Sequence, residues 1–516
     1  MASIVYLIGA GPGDPDLISV RGLRYLTQAD VVLYDHLVHT RLLQHAHPDA
    51  EKIDVGLAAP RQLEQEAICY LLAEKAREGK TVARLKWGDP FVFDSGGAEA
   101  LFLHEQGIRF EVVPGIPVGI AAATYAGIPI TYPGGGDTLS FIRGHEDDGQ
   151  TRAMVDWASL ARLDGTLVCY VGPQQLAHVV SALISHGRPR DDAAALVYSG
   201  TLPSQETVAG TLEDIAKVSS RPTDRRPAVL VVGRVTALRE HLQWFDVRPL
   251  FGKRVLVTRP REMAVELIEQ LESMGAEAIE APMIQIEPPE DYGPLDTACR
   301  EVASFDWIVF SSANAVESFM QRLFATPYDL RELKGVKLCA VGPTTADRLA
   351  RYNLKVDLTP QEYRAESLLQ AISETTDVRG LRVLLPRADI GRELVAEGLR
   401  KRGAEVTEVV AYRTVATEPE SEGEPDIYRM LLDRRIDVVT FTSASAVRNF
   451  VKALGAEPAA DLLRTTVVAS IGPLTAEAAS RYNIRTNVMP AQYTVPALVH
   501  AIVQYFEQQK PATVTS

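Results

Sequence analysis

Short apolar runs recur along the first half of the chain, each closed by Gly, Pro or Asp and followed by an amphipathic segment. "IVYLIGAG", "ADVVLYD", "TVARLK", "RFEVVPG", "TLVCYVG", "AALVYSG" and "AVLVVGR" are the clearest of them. Strand alternating with helix is the α/β pattern. The register changes in "LREHLQWFDVRPLFGKRVLVTRP": a helix ends near Trp244–Phe245, a Pro-bearing linker over 247–253 follows, and a new strand starts at Arg254. The main boundary is expected near residue 250.

The second half is a duplication. "VLVTRPREMAVELIEQLESMGAE" from Val255 matches "VLLPRADIGRELVAEGLRKRGAE" from Val383, with Arg259 over Arg387. "FDWIVFSSANAVESFM" matches "IDVVTFTSASAVRNFV", and "AVGPTTADRLARYNLKVD" matches "SIGPLTAEAASRYNIRTN", at offsets of 128 to 131. Two similar α/β units follow, each expected as a small parallel sheet with helices on both faces.

Composition narrows the partners. A chain of 516 residues exceeds one hydrophobic core, so several domains are expected. The net charge of −14 argues against nucleic acid, which needs a basic footprint. Cys69, Cys169, Cys299 and Cys339 lie far apart with no ligand spacing, which favours a reducing compartment over disulfides or zinc. His36, His39, His45 and His47 read as solvated loop residues. The opening "MASIVYLIGAGPGD" has no basic leader, and "VGIAAATYAGIPI" is too short and interrupted to span a bilayer, so no membrane is expected and the reading is cytoplasmic.

Hydroxyl-bearing strand-to-helix turns recur in register. Ser311-Ser312 and Thr344-Thr345 in one repeat match Thr442-Ser443 and Thr475 in the other. Such turns are either plain N-caps or, at the carboxyl ends of parallel strands, anion-receiving helix starts. Facing each other, four of them would line one cleft for a ligand rich in carboxylates. The first turn, "LIGAGPGDPDLISVRGL", places Gly9 and Gly11 like a dinucleotide fingerprint. Asp14 takes the third glycine's position, however, and Pro12 and Pro15 fall where the helix should begin, so a pyrophosphate is disfavoured.

"VYLIGAGPGDPDLISVRGLRYLTQADVVLYDHLV", "GDPFVF", "EVVPGIPVGIAAATYAGIPIT", "RGHE", "SGTLPSQETVAGTLEDI" and "PAVLVVGRVTALREHLQWF" together resemble the tetrapyrrole methylases, nearest to uroporphyrinogen-III C-methyltransferase, over residues 3 to about 246. The repeats from about 252 to 505 resemble uroporphyrinogen-III synthase. The resemblance implies a two-lobe methylase fold (1–246, lobes about 1–115 and 116–246). After it comes a duplicated synthase fold (254–505), with an outer domain of about 252–286 plus 415–505, an inner domain of about 287–412 and a hinge between them; residues 506–516 are expected as a flexible tail.

It further implies S-adenosylmethionine as methyl donor. Pro12, Gly88-Asp89-Pro90, Pro114-Gly115, Thr131, Tyr170-Val171-Gly172 and Pro227-Ala228 would contact the donor, and Asp14 would lie beside tetrapyrrole and sulfonium as a catalytic residue. In the synthase half, Tyr412 takes the position of a catalytic tyrosine that donates a hydrogen bond to a departing hydroxyl. Arg259, Arg387, Ser311, Ser312, Thr344, Thr345, Thr442, Ser443 and Thr475 would be substrate-cleft residues for the linear and cyclic tetrapyrroles. A homodimer through the methylase half is the family's expectation.

"RLKWGDPFVFDSGGAE" departs from that family. Trp87 and Asp94 replace glycines, Ser95 an arginine, Ala98 a glutamate, and Pro133 a further arginine; Leu57, Ala58 and Ala59 replace basic residues. Arg61, Arg84 and Arg143 stand nearby as compensating cations. The departures leave two readings of the first half, normal methylation of uroporphyrinogen III or a retuned or idle site. A hinged anionic-ligand binding protein is the rival from another class.

Overall fold

The computed structural model describes residues 3–56, 63–135, 137–144, 155–172, 175–218, 228–281, 284–360, 365–389, 394–416 and 426–509. The first sheet joins β1 (Ile4–Gly9), β2 (Val31–Tyr34), β3 (Glu51–Asp54), β4 (Thr81–Lys86) and β5 (Phe110–Val113) in the order β3-β2-β4-β1-β5. All its pairings are parallel, as expected of strands separated by helices. The second contains β6 (Leu139–Arg143), β7 (Thr166–Val171), β8 (Ala193–Tyr198), β9 (Glu206–Thr211) and β10 (Ala228–Val232), ordered β6-β7-β10-β8-β9. Here only β6 and β7 run parallel, because β8 and β9 form a hairpin and β10 threads between β7 and β8 in the opposite sense.

The duplicated half does not build one sheet per repeat. The outer sheet combines β11 (Arg254–Val257) and β12 (Glu277–Glu280) with β18 (Val438–Phe441) and β19 (Val467–Ser470), ordered β12-β11-β18-β19. The inner sheet combines β13 (Ile284–Glu287), β14 (Trp307–Phe310), β15 (Lys337–Ala340), β16 (Arg382–Ala388) and β17 (Glu405–Ala416), ordered β13-β17-β16-β14-β15. Each repeat is therefore divided, its first strand pair in one sheet and its second pair in the other, and the two sheets share one strand order with the repeats exchanged. The expectation of a self-contained sheet per repeat is corrected by this exchange.

The crossings also shift. β13 already belongs to the inner sheet, pairing antiparallel with the end of β17 from Ile284↔Ala416 to Glu287↔Arg413. The first crossing thus precedes residue 284 and the second follows residue 416, rather than falling at 286/287 and 412/415. The chain leaves and re-enters the inner domain along two strands hydrogen-bonded to each other. Arg413 fastens them further, with Nη2 2.8 Å from Glu287 and Nη1 2.7 Å from Glu290.

The linker is packed rather than loose. Leu250 is fully buried in the outer-domain core and its N–H donates to the Met274 carbonyl at 2.9 Å. The Arg248 guanidinium lies 4.8 Å from the Trp244 ring centroid, and the Trp244 indole N–H reaches the Thr124 carbonyl at 3.0 Å. At the other end, the helix Val495–Gln509 carries Phe506 onto the outer core, so order continues past the expected limit at 505. Residues 510–516 lie outside the described residues.

Three strand-end turns of the first lobe pack backbone on backbone. A Cβ on Gly115 would lie 2.1 Å from the Gly88 carbonyl oxygen, and one on Gly9 would lie 2.4 Å from the Gly115 nitrogen. Gly88, at φ +74°, exchanges two backbone hydrogen bonds with Gly11, of 2.8 and 3.3 Å. Gly115→Ala is expected to destabilise the first lobe by about 3 kcal/mol through backbone overpacking. The check is differential: limited proteolysis or denaturant unfolding of the purified variant shows the first lobe opening earlier, while the duplicated half is unchanged.

Candidate active sites in the two halves

The carboxyl end of β4 governs the first site. Arg84 and Lys86 both point inward from this strand and are almost wholly buried. They converge on Glu99, in the first turn of the helix Gly96–Glu105: Arg84 Nε is 3.3 Å and Lys86 Nζ 3.0 Å from Glu99 Oε1. Arg84 also pairs with Asp35, and Lys86 with Asp94 at 3.0 Å and the Ser95 hydroxyl at 2.9 Å. Burial alone would raise the Glu99 carboxyl, but Arg84 and Lys86 outweigh it and hold the group below its ordinary 4.5. Burial raises Asp94, with Lys86 opposing.

Arg84 is thus internal and does not compensate for lost substrate-binding arginines. Of the other two candidates, Arg143 ends β6 and is half-buried, while Arg61 lies outside the described residues, as do Leu57, Ala58 and Ala59.

Above this network the two lobes enclose a cleft of about 540 Å³. Pro12, Gly13, Leu37 and Trp87 line it from the first lobe; Val118, Tyr170, Val171, Gly172, Gln175, Ser199, Gly200, Leu202 and Ala228 line it from the second. Of the residues expected at the donor, Pro12, Tyr170, Val171, Gly172 and Ala228 come together here. Gly88, Asp89, Pro90, Pro114, Gly115 and Thr131 do not line it. Gly88 and Gly115 belong to the glycine packing already described. Asp89 binds the turn to it, its carboxylate accepting from the N–H of Gly115 at 3.0 Å and of Phe91 at 2.8 Å. The Pro90 carbonyl sits against Gly96, and Thr131 is exposed. Pro227 lies outside the described residues.

Asp14 is a tie between lobes. Its N–H donates to the Thr201 hydroxyl at 3.1 Å, and its carboxylate accepts from the Tyr125 hydroxyl at 3.0 Å and from the Asp16 N–H at 3.0 Å. The 3-10 turn Pro15–Leu17 begins there, and the first helix starts only at Val20 behind the Ser19 cap. This late start agrees with the sequence argument against a dinucleotide fingerprint: the first helix does not begin at the glycine turn. Sequence reasoning placed no site residue in "YSGTLPS", although Ser199 and Thr201 adopt φ +47° and +75°. Non-glycine residues in that region at a strand's carboxyl end are a sign of a constrained, functional turn.

In the synthase half, Tyr412 is buried and its hydroxyl lies 3.0 Å from the Ser312 hydroxyl. Burial raises the Tyr412 phenol above its ordinary 10, Ser312 opposing, so it stays protonated at neutral pH. Ser312 and Ser443 cap the helices Ala313–Ala325 and Ala444–Leu454, accepting from Ala315 and Ala446 N–H at 3.1 Å each. The N-cap reading therefore holds for both, and Ser312 serves a second purpose at Tyr412.

Thr345 and Thr475 are buried in the first turns after Gly342 and Gly472, Thr344 begins the same helix as Thr345, Ser311 is exposed and Thr442 half-buried. The repeat-related arginines differ. Arg387 pairs with Glu408 at 2.9 Å, a carboxylate it shares with Arg400, whereas Arg259 has no ion-pair partner among the described residues and burial pushes its guanidinium down.

The molecule is thus a two-part α/β enzyme, with a two-lobe cleft whose described lining residues are uncharged, joined to a pair of domains that present hydroxyl-bearing turns. Residues 4–216 match the model of the Tetrapyrrole (Corrin/Porphyrin) Methylases, and residues 265–500 that of Uroporphyrinogen-III synthase HemD. The Porphyrin biosynthesis protein HemD of Ruminiclostridium josui is 35% identical over 501 residues, 97% of each chain. The Uroporphyrinogen-III C-methyltransferase of Priestia megaterium is 46% identical over 232 residues, 45% of this chain and 97% of the relative. That of Bacillus subtilis is 38% identical over 331 residues, 64% of this chain and 68% of the relative.

The chain belongs to the family in which a tetrapyrrole methylase is fused to a uroporphyrinogen-III synthase, a bifunctional enzyme of tetrapyrrole biosynthesis with S-adenosylmethionine as methyl donor.

Removing Glu99's charge would leave two buried cations facing each other. Glu99→Gln is expected to cost about 3–5 kcal/mol near neutral pH. Because the folded pKa is depressed, the carboxylate's contribution is present above about pH 4.5 and lost as pH falls through the folded value. Denaturant melts from pH 7 to pH 3 should show the gap between wild type and variant closing in acid.

Proposed function

We propose that this chain carries out two consecutive steps: closure of hydroxymethylbilane to uroporphyrinogen III with inversion of the last ring, and methylation of that product toward precorrin-2. The observation that carries the first step is the Tyr412–Ser312 pair. A buried phenol that stays protonated is a donor for a departing hydroxyl, and Ser312 fixes its direction. Arg259, without an ion-pair partner among the described residues, is the better placed of the two arginines to hold a carboxylate, since Arg387 already bonds Glu408.

For the second step, the residues fit the donor. The cleft volume is that of a small-molecule site, its walls are apolar, and the polar backbone of Gly13, Gly172 and Gly200 borders it. When bound, S-adenosylmethionine supplies an electrophilic methyl group on a sulfonium. The chain's own contribution is alignment and exclusion of water. The glycine packing sets the first lobe's turns, and Asp14 holds the Pro12–Gly13 turn to Tyr125 and Thr201 of the second lobe, which makes it a positioning residue in this reading. A cytoplasmic location, a homodimer through the methylase half, and delivery of product toward both sirohaem and cobalamin complete the proposal.

The test supplies hydroxymethylbilane to the purified full chain with and without S-adenosylmethionine, with products separated by chromatography and mass. Type III uroporphyrinogen in both, methylated only with the donor, is the expected result. Type III product that is never methylated would assign the first half to another acceptor. Only the spontaneous type I isomer would overturn the synthase step. Tyr412→Phe should slow type III formation by on the order of 10²-fold with little change in KM, and Ser312→Ala by a smaller factor.

A further inference from the structure

Among the described residues the donor cleft has no charged lining side chain, although the donor proposed for it is a cation. Two carboxylates of the first lobe's turns are engaged elsewhere, Asp14 with Tyr125 and Asp35 with Arg84. What the first lobe offers instead is an aromatic ring where its relatives by motif have glycine: Trp87 lines the cleft between Pro12 and Val118. Its indole N–H donates to the Pro12 carbonyl at 2.8 Å, and its backbone N–H donates to Asp35 at 3.3 Å. The residue is therefore held at two points, its backbone on Asp35 and so on the buried Arg84–Glu99–Lys86 cluster, its ring on the Pro12–Asp14 turn. The hydrogen bond from Nε1 also draws electron density into the indole, which strengthens the negative potential of its face. An indole face is the strongest aromatic partner for a cation.

We propose that the Trp87 indole is the group by which this cleft distinguishes a sulfonium donor from its neutral thioether product. The proposal rests on the reading of the cleft as the methyl-donor site. A bulky ring in a donor cleft costs space, and affinity for the charged form is what it returns. The ring also eases release of the product, since its attraction for the ligand ends when the methyl group leaves and the sulfur becomes neutral.

The experiment is calorimetric titration of the full chain with S-adenosylmethionine and, separately, S-adenosylhomocysteine, in wild type, Trp87→Leu and Trp87→Phe. The ratio of the two dissociation constants is the readout, because partial misfolding scales the binding stoichiometry and leaves the ratio unchanged. Trp87→Leu should weaken S-adenosylmethionine relative to S-adenosylhomocysteine by roughly three- to thirtyfold, and Trp87→Phe, which keeps a π face, should recover part of that ratio. Equal weakening of both ligands would overturn the proposal and leave Trp87 an apolar wall. An unchanged ratio with unchanged affinities would place the sulfonium away from the ring and overturn it as well. A wild-type chain that binds neither ligand would instead sink the donor-site reading itself, which separates the two failures.

Discussion

Two cations and one carboxylate buried beneath a single turn determine most of what the methylase half can do. Glu99 sits between Arg84 and Lys86 with almost no exposure, in a position where an unpaired charge is prohibitively costly. Once the pairing is made, the end of β4 and the start of the helix Gly96–Glu105 have one mutual arrangement. Asp35 accepts from both Arg84 and the Trp87 backbone, so the same cluster sets the exit direction of the chain after Lys86. Gly88, at positive φ, then hydrogen-bonds Gly11, and Gly9 meets Gly115 at a distance only glycine permits. The cleft is the space left over when these constraints are satisfied together.

That logic explains which parts of the molecule were legible in the sequence. Periodicity and turn chemistry are local, so strands, the boundary near Arg254 and the duplication were all readable. The partition of each repeat between two sheets is not local: it entered through the family resemblance, which set 252–286 with 415–505, and not through the duplication itself. Both a self-contained and an exchanged arrangement bury the same apolar faces, and only the pairing of β11 with β18 and of β14 with β16 distinguishes them. Ligand contact was likewise confounded with scaffold. Gly88 and Gly115 carry strong motif signals because a positive φ at one and backbone contact at the other require glycine, and that signal is the same whether the neighbour is a ligand or another turn. Arg84 looked like an available cation because its partners, Asp35 and Glu99, lie 49 and 15 positions away. In the synthase half, the alternation "VVAYRTV" does not reveal that Tyr412 meets Ser312 across 100 residues.

The two halves are not independent beads. Arg41 of the first lobe pairs with Glu272 at 2.5 Å, on the helix Arg261–Ser273 of the outer domain. Arg248 continues the contact, stacking on Trp244 and Phe245 while donating to the Glu272 carbonyl at 3.3 Å. Tyr125 packs its ring against both of those aromatics, 5.0 and 4.7 Å between centroids, and gives its hydroxyl to Asp14. A continuous series of packed and hydrogen-bonded groups thus runs from the Pro12–Asp14 turn to the outer domain.

The inner domain, by contrast, is joined to the outer one through the two chain crossings beside β13 and the end of β17. The two crossings are held to each other by the β13–β17 pairing and by the ion pairs of Arg413 with Glu287 and Glu290, so this connection is narrow. The methylase half instead meets the outer domain through side chains of several elements, among them Arg41 and Arg248, which both reach the helix Arg261–Ser273. Arg259 belongs to the outer domain and the Tyr412–Ser312 pair to the inner one, so the two halves of the proposed synthase site lie on either side of that narrow connection.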